Sequence, residues 1–494
     1  MVLSWPGIRH TTDANGLRTL VVGAGEAGRT LARALRRSPN YGLVPIGFLD
    51  DAHGLTRVTG LPLYRPIQAL PEVARAHRAE ACVVAIPSLP APRLAEIVDA
   101  ARTAGLHVRY LPSFLAAVER DARISDLRQL RVESLLGRRE LHVASEKAAA
   151  LIAGRRVLVT GAGGSIGSEL CRQIQRFGPA ALYLLDHDES NLHRLQLEIT
   201  GSGLLDSDEI IIADIRDQRR IDQVFAATRP ELVFHAAAHK HLPLLERHVC
   251  EGVKSNVRGT QNVVQAAARH GSSHFVLIST DKAADPTSVL GATKRLAELV
   301  IQREAGGPVT LASVRFGNVL GSRGSFLSVL ADQIARDQPV TVTHPDVTRF
   351  FMTVEEAVGL VLETAAMAEY AETFVLDMGE PVPIVSLVRN YARQLKLPEI
   401  EIRYTGLRPG EKLSEKVFSD SEERVRSAHS KIWATRSAEP AEDFALLLAD
   451  LYEAADEGDS ARSKDLLRRL VPEYAPSDRP ETPVSVGAPY PDGF

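Results

Sequence analysis

The sequence predicts an α/β protein of two Rossmann-type, doubly wound parallel-sheet domains, the second ending in a smaller C-terminal lobe. Three observations lead there. A strand-like apolar run that ends in a glycine-rich turn and opens a helix occurs twice, from Leu17 and again from Arg155. After the second of these, apolar runs recur at spacings of about 25–40 residues with helical periodicity between them, the pattern of a parallel sheet. After about Gly317 the alternation loses its regularity, as a substrate lobe would. A chain of 494 residues is also too long for one ordinary domain.

Each element can be read in order. Residues 1–16 are expected to be a flexible N-terminus. Leu17–Val22 reads as a strand, Gly23, Gly25 and Gly28 as its turn, and an alanine- and arginine-rich stretch to about Arg37 as a helix. Val44 to Leu49 is a second strand ending in Asp50-Asp51, 22–27 residues beyond the glycines, where the ribose-binding acid of a dinucleotide site falls. Ala81–Ile86 and Val108–Leu111 are further strands, with a helix around Leu94–Ala104 between them. These complete a first domain over 17–125. A connector over 126–153 holds an amphipathic stretch, Leu127 to Leu136, and a helix through Ala144–Ile152. The second domain spans 154–471, with strands at Val157–Thr160, Ala181–Leu185, Glu209–Ala213, Leu232–His235, His274–Ser279 and Val309–Arg315. Pro472 to Phe494 carries six prolines and no period, so a disordered tail is expected over 472–494.

Composition narrows the function. A net charge of −4 and a pI near 6.5 offer nothing to nucleic acid, and the basic runs Arg36-Arg37, Arg138-Arg139 and Arg468-Arg469 are short enough to be solvated helix faces. Cys82, Cys171 and Cys250 are scattered and two lie in apolar runs, which suits buried thiols in a reducing, cytoplasmic compartment. No metal-ligand spacing is present. Met1 to Asn15 lacks the apolar core of a signal peptide, and no window approaches the ~18 apolar residues of a membrane span.

The second glycine turn, Thr160-Gly161-Ala-Gly163-Gly164-Ser165-Ile166-Gly167, fits a dinucleotide pyrophosphate held at a helix N-terminus. Gly161, Gly164, Ser165, Ile166 and Gly167 are the candidate cradle. Asp186 ends the next strand in register for an adenosine ribose, and an acid there repels a 2′-phosphate, so NAD is the expected cofactor. Asp214 and Ile215, at the following strand end, are placed to read adenine. The small run Ala236, Ala237 and Ala238 suits a backbone passing under the nicotinamide ribose. His235, His239 and His241 flank it, but they lack carboxylate or thiolate partners for a metal. The first turn, with Gly23, Gly25 and Gly28, shares this physics without any acid/base cluster after it. Its reading stays open between a nucleotide or acyl-cofactor site and glycines that only permit tight packing.

Thr280-Asp281-Lys282 follows the apolar strand Phe275–Ile278, and strand C-terminal ends are where α/β sites lie. Lys294 follows twelve residues after Lys282 on a helix. A cofactor beside a hydroxyl, a carboxylate and two ammonium groups points to redox chemistry at a carbinol carbon.

With these motifs the chain resembles the extended short-chain dehydrogenase/reductase superfamily, and within it the membrane-associated UDP-N-acetylglucosamine 4,6-dehydratases of polysaccharide and glycan synthesis. The segments that carry the resemblance are TGAGGSIGSEL at 160–170, HAAAHKHLPLLE at 235–246, STDKA at 279–283, GATKRLAE at 291–298, RFGNVLGSRGS at 315–325, THPDVTRFFMT at 343–353 and LRPGEKL at 407–413, together with VVGAGEAG at 21–28 and ESLLGRREL at 133–141. The resemblance implies an extended short-chain dehydrogenase fold for the second domain and an internal redox reaction on a UDP-sugar. Asp281 would be the acid for the departing 6-hydroxyl and Lys282 the base for C5–H, its pKa lowered by burial and by Lys294. Thr280 would bind the C4 oxygen, and Lys294 the nicotinamide ribose. Lys240, Asn318, Arg349, Arg408 and Glu411 are the candidates for the UDP-sugar. A homo-oligomer, in the cytoplasm or at the cytoplasmic face of a membrane, is expected.

Two departures accompany the resemblance. The superfamily's tyrosine, four residues before the lysine, is Leu290 here, as an apolar residue commonly is in the large dehydratases. The family's N-terminal transmembrane helices are also missing, so the chain is read as a soluble homologue or a shortened form. Two alternatives remain: a UDP-sugar 4-epimerase, and a non-catalytic nucleotide-sensing protein.

Overall fold

The computed structural model describes residues 17–37, 43–51, 56–86, most of 93–110, 128–129, 145–320 apart from 202–203 and 206, 326–394 apart from 337, 400–436 apart from 421, and 441–476. The expected flexible N-terminus at 1–16 lies outside them. The chain divides into two compact units, Met1–Glu140 and Leu141–Phe494.

The first unit is built on β1 (Leu17–Val22), β2 (Leu43–Leu49), β3 (Arg57–Val58), β4 (Leu61–Tyr64), β5 (Ala81–Val84), β6 (His107–Tyr110) and β7 (Arg128–Gln129), in the order β3-β4-β2-β1-β5-β6-β7. The pairs from β4 to β6 are parallel; β3 and β7 are added antiparallel at the two edges. The central strands are buried on both faces, Val21 and Val83 against one apolar cluster and Leu20, Val22 and Cys82 against another. Such two-sided burial is why they read as continuous apolar runs. Asp50 Oδ2 accepts the backbone N–H of Ala24 at 2.5 Å, tying the second strand's end to the glycine turn. The β3–β4 hairpin and the helix Leu70–Ala76 had no sequence expectation; both are short.

The second unit carries β8 (Arg156–Thr160), β9 (Ala181–Asp186), β10 (Ile210–Ile212), β11 (Leu232–His235), β12 (His274–Ile278), β13 (Thr310–Arg315), β14 (Asn318–Leu320), β15 (Val340–Val342), β16 (Thr348–Arg349), β17 (Phe351–Thr353), β18 (Glu372–Leu376), β19 (Val382–Pro383), β20 (Ile402–Tyr404), β21 (Glu423–Arg426) and β22 (Ile432–Arg436). Its nine-stranded sheet runs β10-β9-β8-β11-β12-β13-β18-β22-β21, parallel as far as β18, with β22 and β21 antiparallel. The order reverses direction at β8, so a crevice opens between the C-terminal ends of β8 and β11. Two-stranded pairs β14–β17, β15–β20 and β16–β19 form the lobe. Four of the connecting helices start where a side chain takes up a free N–H group: Asp188 on Asn191, Asp217 on Arg220, Ser288 on Gly291 and Thr353 on Glu356. The six strands expected over 157–315 all form, with ends within one or two residues.

The expected connector does not behave as one piece. Arg128–Gln129 pairs with β6, and 130–144 lie outside the described residues. The helix Glu146–Ile152 packs Ala148 and Ile152 into the main core of the second unit, and Ser145 binds Glu363 through both its N–H and its hydroxyl. The expected disordered tail begins too early as well. Tyr474 is 4% exposed within an apolar cluster with Leu470 and Val471, and the Ala475 N–H bonds Pro286 O at 3.1 Å. Proline content was the signal read from this segment, and it outweighed one aromatic ring with a core to enter. Residues 477–494 lie outside the described set.

A buried ion network links the parts that carry the site. Arg315, fully buried at the end of β13, donates to Glu298 at 2.6 and 2.8 Å and to Glu422 at 2.8 Å through two nitrogens. Arg295 adds to Glu298 at 3.2 Å and reaches Glu473 at 3.4 Å, and the Ser279 hydroxyl donates to Glu298 at 2.6 Å. Burial works against the charge on Glu298, but the guanidinium groups of Arg315 and Arg295 outweigh it and hold the carboxyl below its usual range. Arg315→Met leaves two buried carboxylates short of a partner, and should lower stability by about 3–5 kcal/mol; chemical denaturation of the two proteins measures this. A chain beginning at Ala144 keeps the helix Glu146–Ile152 and should fold alone. One beginning at Ala153 strips Ala148 and Ile152 from the core and should be markedly less stable, as circular dichroism melting would record.

Candidate active site

The crevice at β8 is floored by the glycine turn. Gly161 sits at φ +67°, and a methyl group there would lie 2.6 Å from the Ala237 nitrogen; one on Gly167 would lie 2.0 Å from the Gly161 oxygen. Only glycine lets the turn, the helix start and the Ala236–Ala237 backbone approach this closely. Gly164 is the extended N-cap of the helix Ser165–Arg176, so Ser165 and Ile166 form its first turn and its N–H groups face the crevice end. Asp186, 8% exposed, accepts the Gly163 N–H at 2.9 Å and the Asp188 N–H at 3.0 Å. Asp214 is half-exposed and held by Arg216 at 2.6 Å, while Ile215 is buried. Ala238 and Lys240 are exposed beyond β11. His235 is fully buried between the hydroxyls of Thr160 and Thr260, at 2.7 and 3.0 Å. Burial, with Lys294 nearby, pushes its pKa down to about 3, so it is a neutral structural bridge.

Thr280, Asp281 and Lys282 follow β12 at the same end of the sheet. Asp281 is completely buried; its Oδ1 accepts from Thr280 Oγ1 at 2.9 Å and from Lys282 Nζ at 3.0 Å, and its Oδ2 has no hydrogen-bond partner. Lys294 projects from the helix Val289–Arg303 and donates to the Ile278 carbonyl at 2.6 Å. Burial lowers its pKa to about 8 despite Glu298. The helix comes close because residue 291 is glycine: a methyl there would lie 2.4 Å from the Lys282 carbonyl oxygen. Leu290 lies in the apolar cluster with Leu245, Val249 and Leu296.

One expectation fails. Lys282 was expected to have a lowered pKa, and it is raised. Burial does push it down, but the carboxylates of Asp281 at 3.0 Å and Glu415 at 3.6 Å outweigh burial and the opposing charge of Arg349. Glu415 had not been picked out in the sequence, and neither had Glu298, Arg315 or Glu422. The available signal was charge inside otherwise apolar helix and strand patterns at 298 and 315; Glu415 carries none, because it sits in a loop full of charged neighbours.

The lobe places the remaining candidates. Arg349 is buried and its donors are engaged: Nη1 to the carbonyls of Thr348 and Leu413 at 2.7 and 3.1 Å, Nη2 to Glu411 at 3.1 Å. Glu411 also accepts from Thr343 Oγ1 at 3.0 Å and from the Arg408 N–H at 3.3 Å. Two of the expected UDP-sugar ligands therefore bind each other and brace the turn that carries Arg408, whose side chain is exposed. Asn318 starts β14, its N–H bonded to Phe350 O. Among the described residues no group of acids, histidines and cysteines could hold a metal, and no helix is long and apolar enough to cross a membrane.

Comparisons with known proteins agree with this geometry. Residues 157–437 match the family model described as polysaccharide biosynthesis protein, and residues 4–112 one described as CoA-binding domain. The chain is 40% identical over 423 residues to the capsular polysaccharide biosynthesis protein CapD of Staphylococcus aureus, covering 84% of this chain and 71% of that protein. It is 31% identical over 280 residues to a UDP-N-acetylglucosamine 4,6-dehydratase (inverting) of Campylobacter jejuni, covering 55% and 80%. Among solved structures, Pen from Bacillus thuringiensis aligns with a TM-score of 0.54 at 31% identity, over 58% of this chain and 89% of that one. A match that runs through the sheet, the lysine helix and the lobe makes this chain a member of the polysaccharide biosynthesis protein family, which has the extended short-chain dehydrogenase/reductase fold and acts among nucleotide-sugar dehydratases and epimerases.

Proposed function

We propose that the protein is an NAD-dependent 4,6-dehydratase that converts UDP-N-acetylglucosamine into a UDP-4-keto-6-deoxy-hexosamine. The observation that carries this reading is the Asp281–Lys282 pair, a buried carboxylate with one unbonded oxygen hydrogen-bonded to an ammonium beside the dinucleotide crevice. An epimerization returns hydride to the carbon it left and needs no acid for a departing hydroxyl, so such a pair has no task there. The similarity to the Campylobacter dehydratase supports the same choice.

The residues at the crevice fit the cofactor. The cradle at Gly161 and Gly167 is one that any Cβ would fill, and Asp186 stands at the strand end where an adenosine ribose is held. Bound there, NAD supplies a hydride acceptor for C4 and the donor for C6. The chain's own residues manage the protons. A 4-keto group acidifies C5–H, and elimination then needs a base at C5 and an acid at the C6 hydroxyl. At rest the proton of the pair sits on Lys282, as its raised pKa requires. Passing that proton along the 3.0 Å hydrogen bond to Asp281 creates both groups at once, a neutral amine and a carboxylic acid. Lys282 takes the C5 proton, Asp281 gives its own to the departing hydroxyl, and water leaves with the pair back at its resting charge; Lys282 then returns its proton to C5 as C6 is reduced and is reprotonated from solvent, which has taken up the proton that the C4 hydroxyl loses on oxidation. Leu290, sealed in its apolar cluster, takes no proton. Lys294 and Thr280 serve the nicotinamide ribose and the C4 oxygen, and Arg408, Lys240 and Asn318 the UDP-sugar, with Arg349 and Glu411 bracing the turn beneath it.

Asp186→Ala removes a charged acceptor at the ribose position. It should weaken NAD(H) by about 10- to 100-fold and narrow the discrimination against the phosphorylated cofactor; titration followed by fluorescence reports both, and unchanged affinities would mean that the ribose is read elsewhere. Asp281→Asn should slow water loss by about 10²- to 10⁴-fold while C4 oxidation continues, so that NADH absorbance appears transiently. Lys282→Met should instead abolish exchange of C5–H with solvent deuterium, followed by NMR in D₂O on UDP-N-acetylglucosamine. Wild-type turnover in both variants would remove the pair from the chemistry.

A further inference from the structure

Lys282 lies between two carboxylates that reach it from different parts of the second unit. Asp281 is its neighbour in the chain. Glu415 comes from the lobe, with its Oε1 3.6 Å from Lys282 Nζ and its side chain 3% exposed. The Glu415 Oε2 is shielded and makes no hydrogen bond; Lys412 Nζ, 3.5 Å away, is its cation. A carboxylate buried with an unbonded oxygen is costly unless charge compensates it. Here the compensation is the pair of lysines, and Glu415 is held well below the usual carboxylate range by them although burial pushes the other way.

Glu415 reaches this position because its segment is docked beside the catalytic turn. Thr287 Oγ1 donates to Gly410 O at 3.1 Å, and Lys412 Nζ bonds both the backbone oxygen and the carboxylate of Asp285. The charged groups around Lys282 are thus Asp281 from its own loop, Glu415 and Lys412 from the lobe segment, and Arg349 from β16. Asp281 alone gives a pair in which one carboxylate faces one ammonium inside a buried turn. The lobe adds a second negative charge on the lysine side, which works against handing the proton to Asp281 before substrate is present.

We propose that Glu415 is a positioning residue that keeps the proton of the Asp281–Lys282 pair on Lys282, so that the substrate lobe sets the charge state of the acid/base centre. The role of Glu415 in turnover rests on the dehydratase reading; its hold on Lys282 does not. The test uses the full chain with its bound cofactor, as wild type, Glu415→Gln and Glu415→Asp. Brief labelling with acetic anhydride at pH 9, read residue by residue by mass spectrometry, gives the reactivity of Lys282 against exposed Lys147. Glu415→Gln should label Lys282 about 10-fold faster or more, since loss of an adjacent opposite charge lowers a lysine pKa by about one unit or more. Glu415→Asp, which keeps the charge, should stay near wild type. An unchanged rate in Glu415→Gln, or an equal rise in both variants, which would signal a loosened lobe, overturns the proposal. In parallel, the pH profile of C5–H exchange should move to lower pH in Glu415→Gln; a reduced rate on an unmoved profile would also overturn it. Faster labelling in Glu415→Gln combined with no exchange even by the wild type would uphold the hold on Lys282 and sink the dehydratase reading.

Discussion

The second unit depends on one buried arrangement, the guanidinium of Arg315 clamped between Glu298 and Glu422. Its partners come from the sheet, the helix that carries Lys294 and the start of the antiparallel strands beyond the lobe. Hydrophobic contact also holds these pieces together, but it is non-directional. A three-way ionic contact buried from solvent is directional, and a displaced charge loses its compensation where little else can supply it. The Ser279 hydroxyl is part of the same contact, at 2.6 Å from Glu298, so the turn bearing Asp281 and Lys282 is fixed through its first residue. Rigidity of this kind is what proton transfer over a single hydrogen bond requires.

Electrostatics rather than packing decides what the pair does. Lys294 is buried and Lys282 partly buried, and their pKa values move in opposite directions. Lys294 has a carbonyl and one distant carboxylate to set against its desolvation and falls to about 8. Lys282 has two carboxylates and rises. Burial alone therefore predicts nothing about a lysine's charge; the count of carboxylates within reach does. The failed expectation for Lys282 came from applying the first effect without knowledge of the second.

Much of the fold was legible because strands buried on both faces leave continuous apolar runs, separated by stretches of helical periodicity. The glycine cradle was legible for a similar reason: Gly161 and Gly167 answer to contacts within a few residues or to a single neighbouring strand. What escaped notice was everything that depends on distant partners. Glu415 lies more than a hundred residues from Lys282, and nothing in its neighbourhood marks it. Arg349 and Glu411 were picked as ligands of the UDP-sugar, and only coordinates show that they bind each other. The tail misled for the opposite reason, since proline content is a local property and Tyr474 finds its core elsewhere.

That tail has a bearing on how the protein is made. Glu473 pairs with Arg295, Tyr474 enters the cluster that backs the lysine helix, and Ala475 ties to Pro286, four residues past Lys282. These contacts can form only after roughly 190 further residues have been synthesized beyond Lys282. A nascent chain therefore carries the glycine turn at 161–167 and the Asp281–Lys282 turn well before the segment that braces the latter has been made.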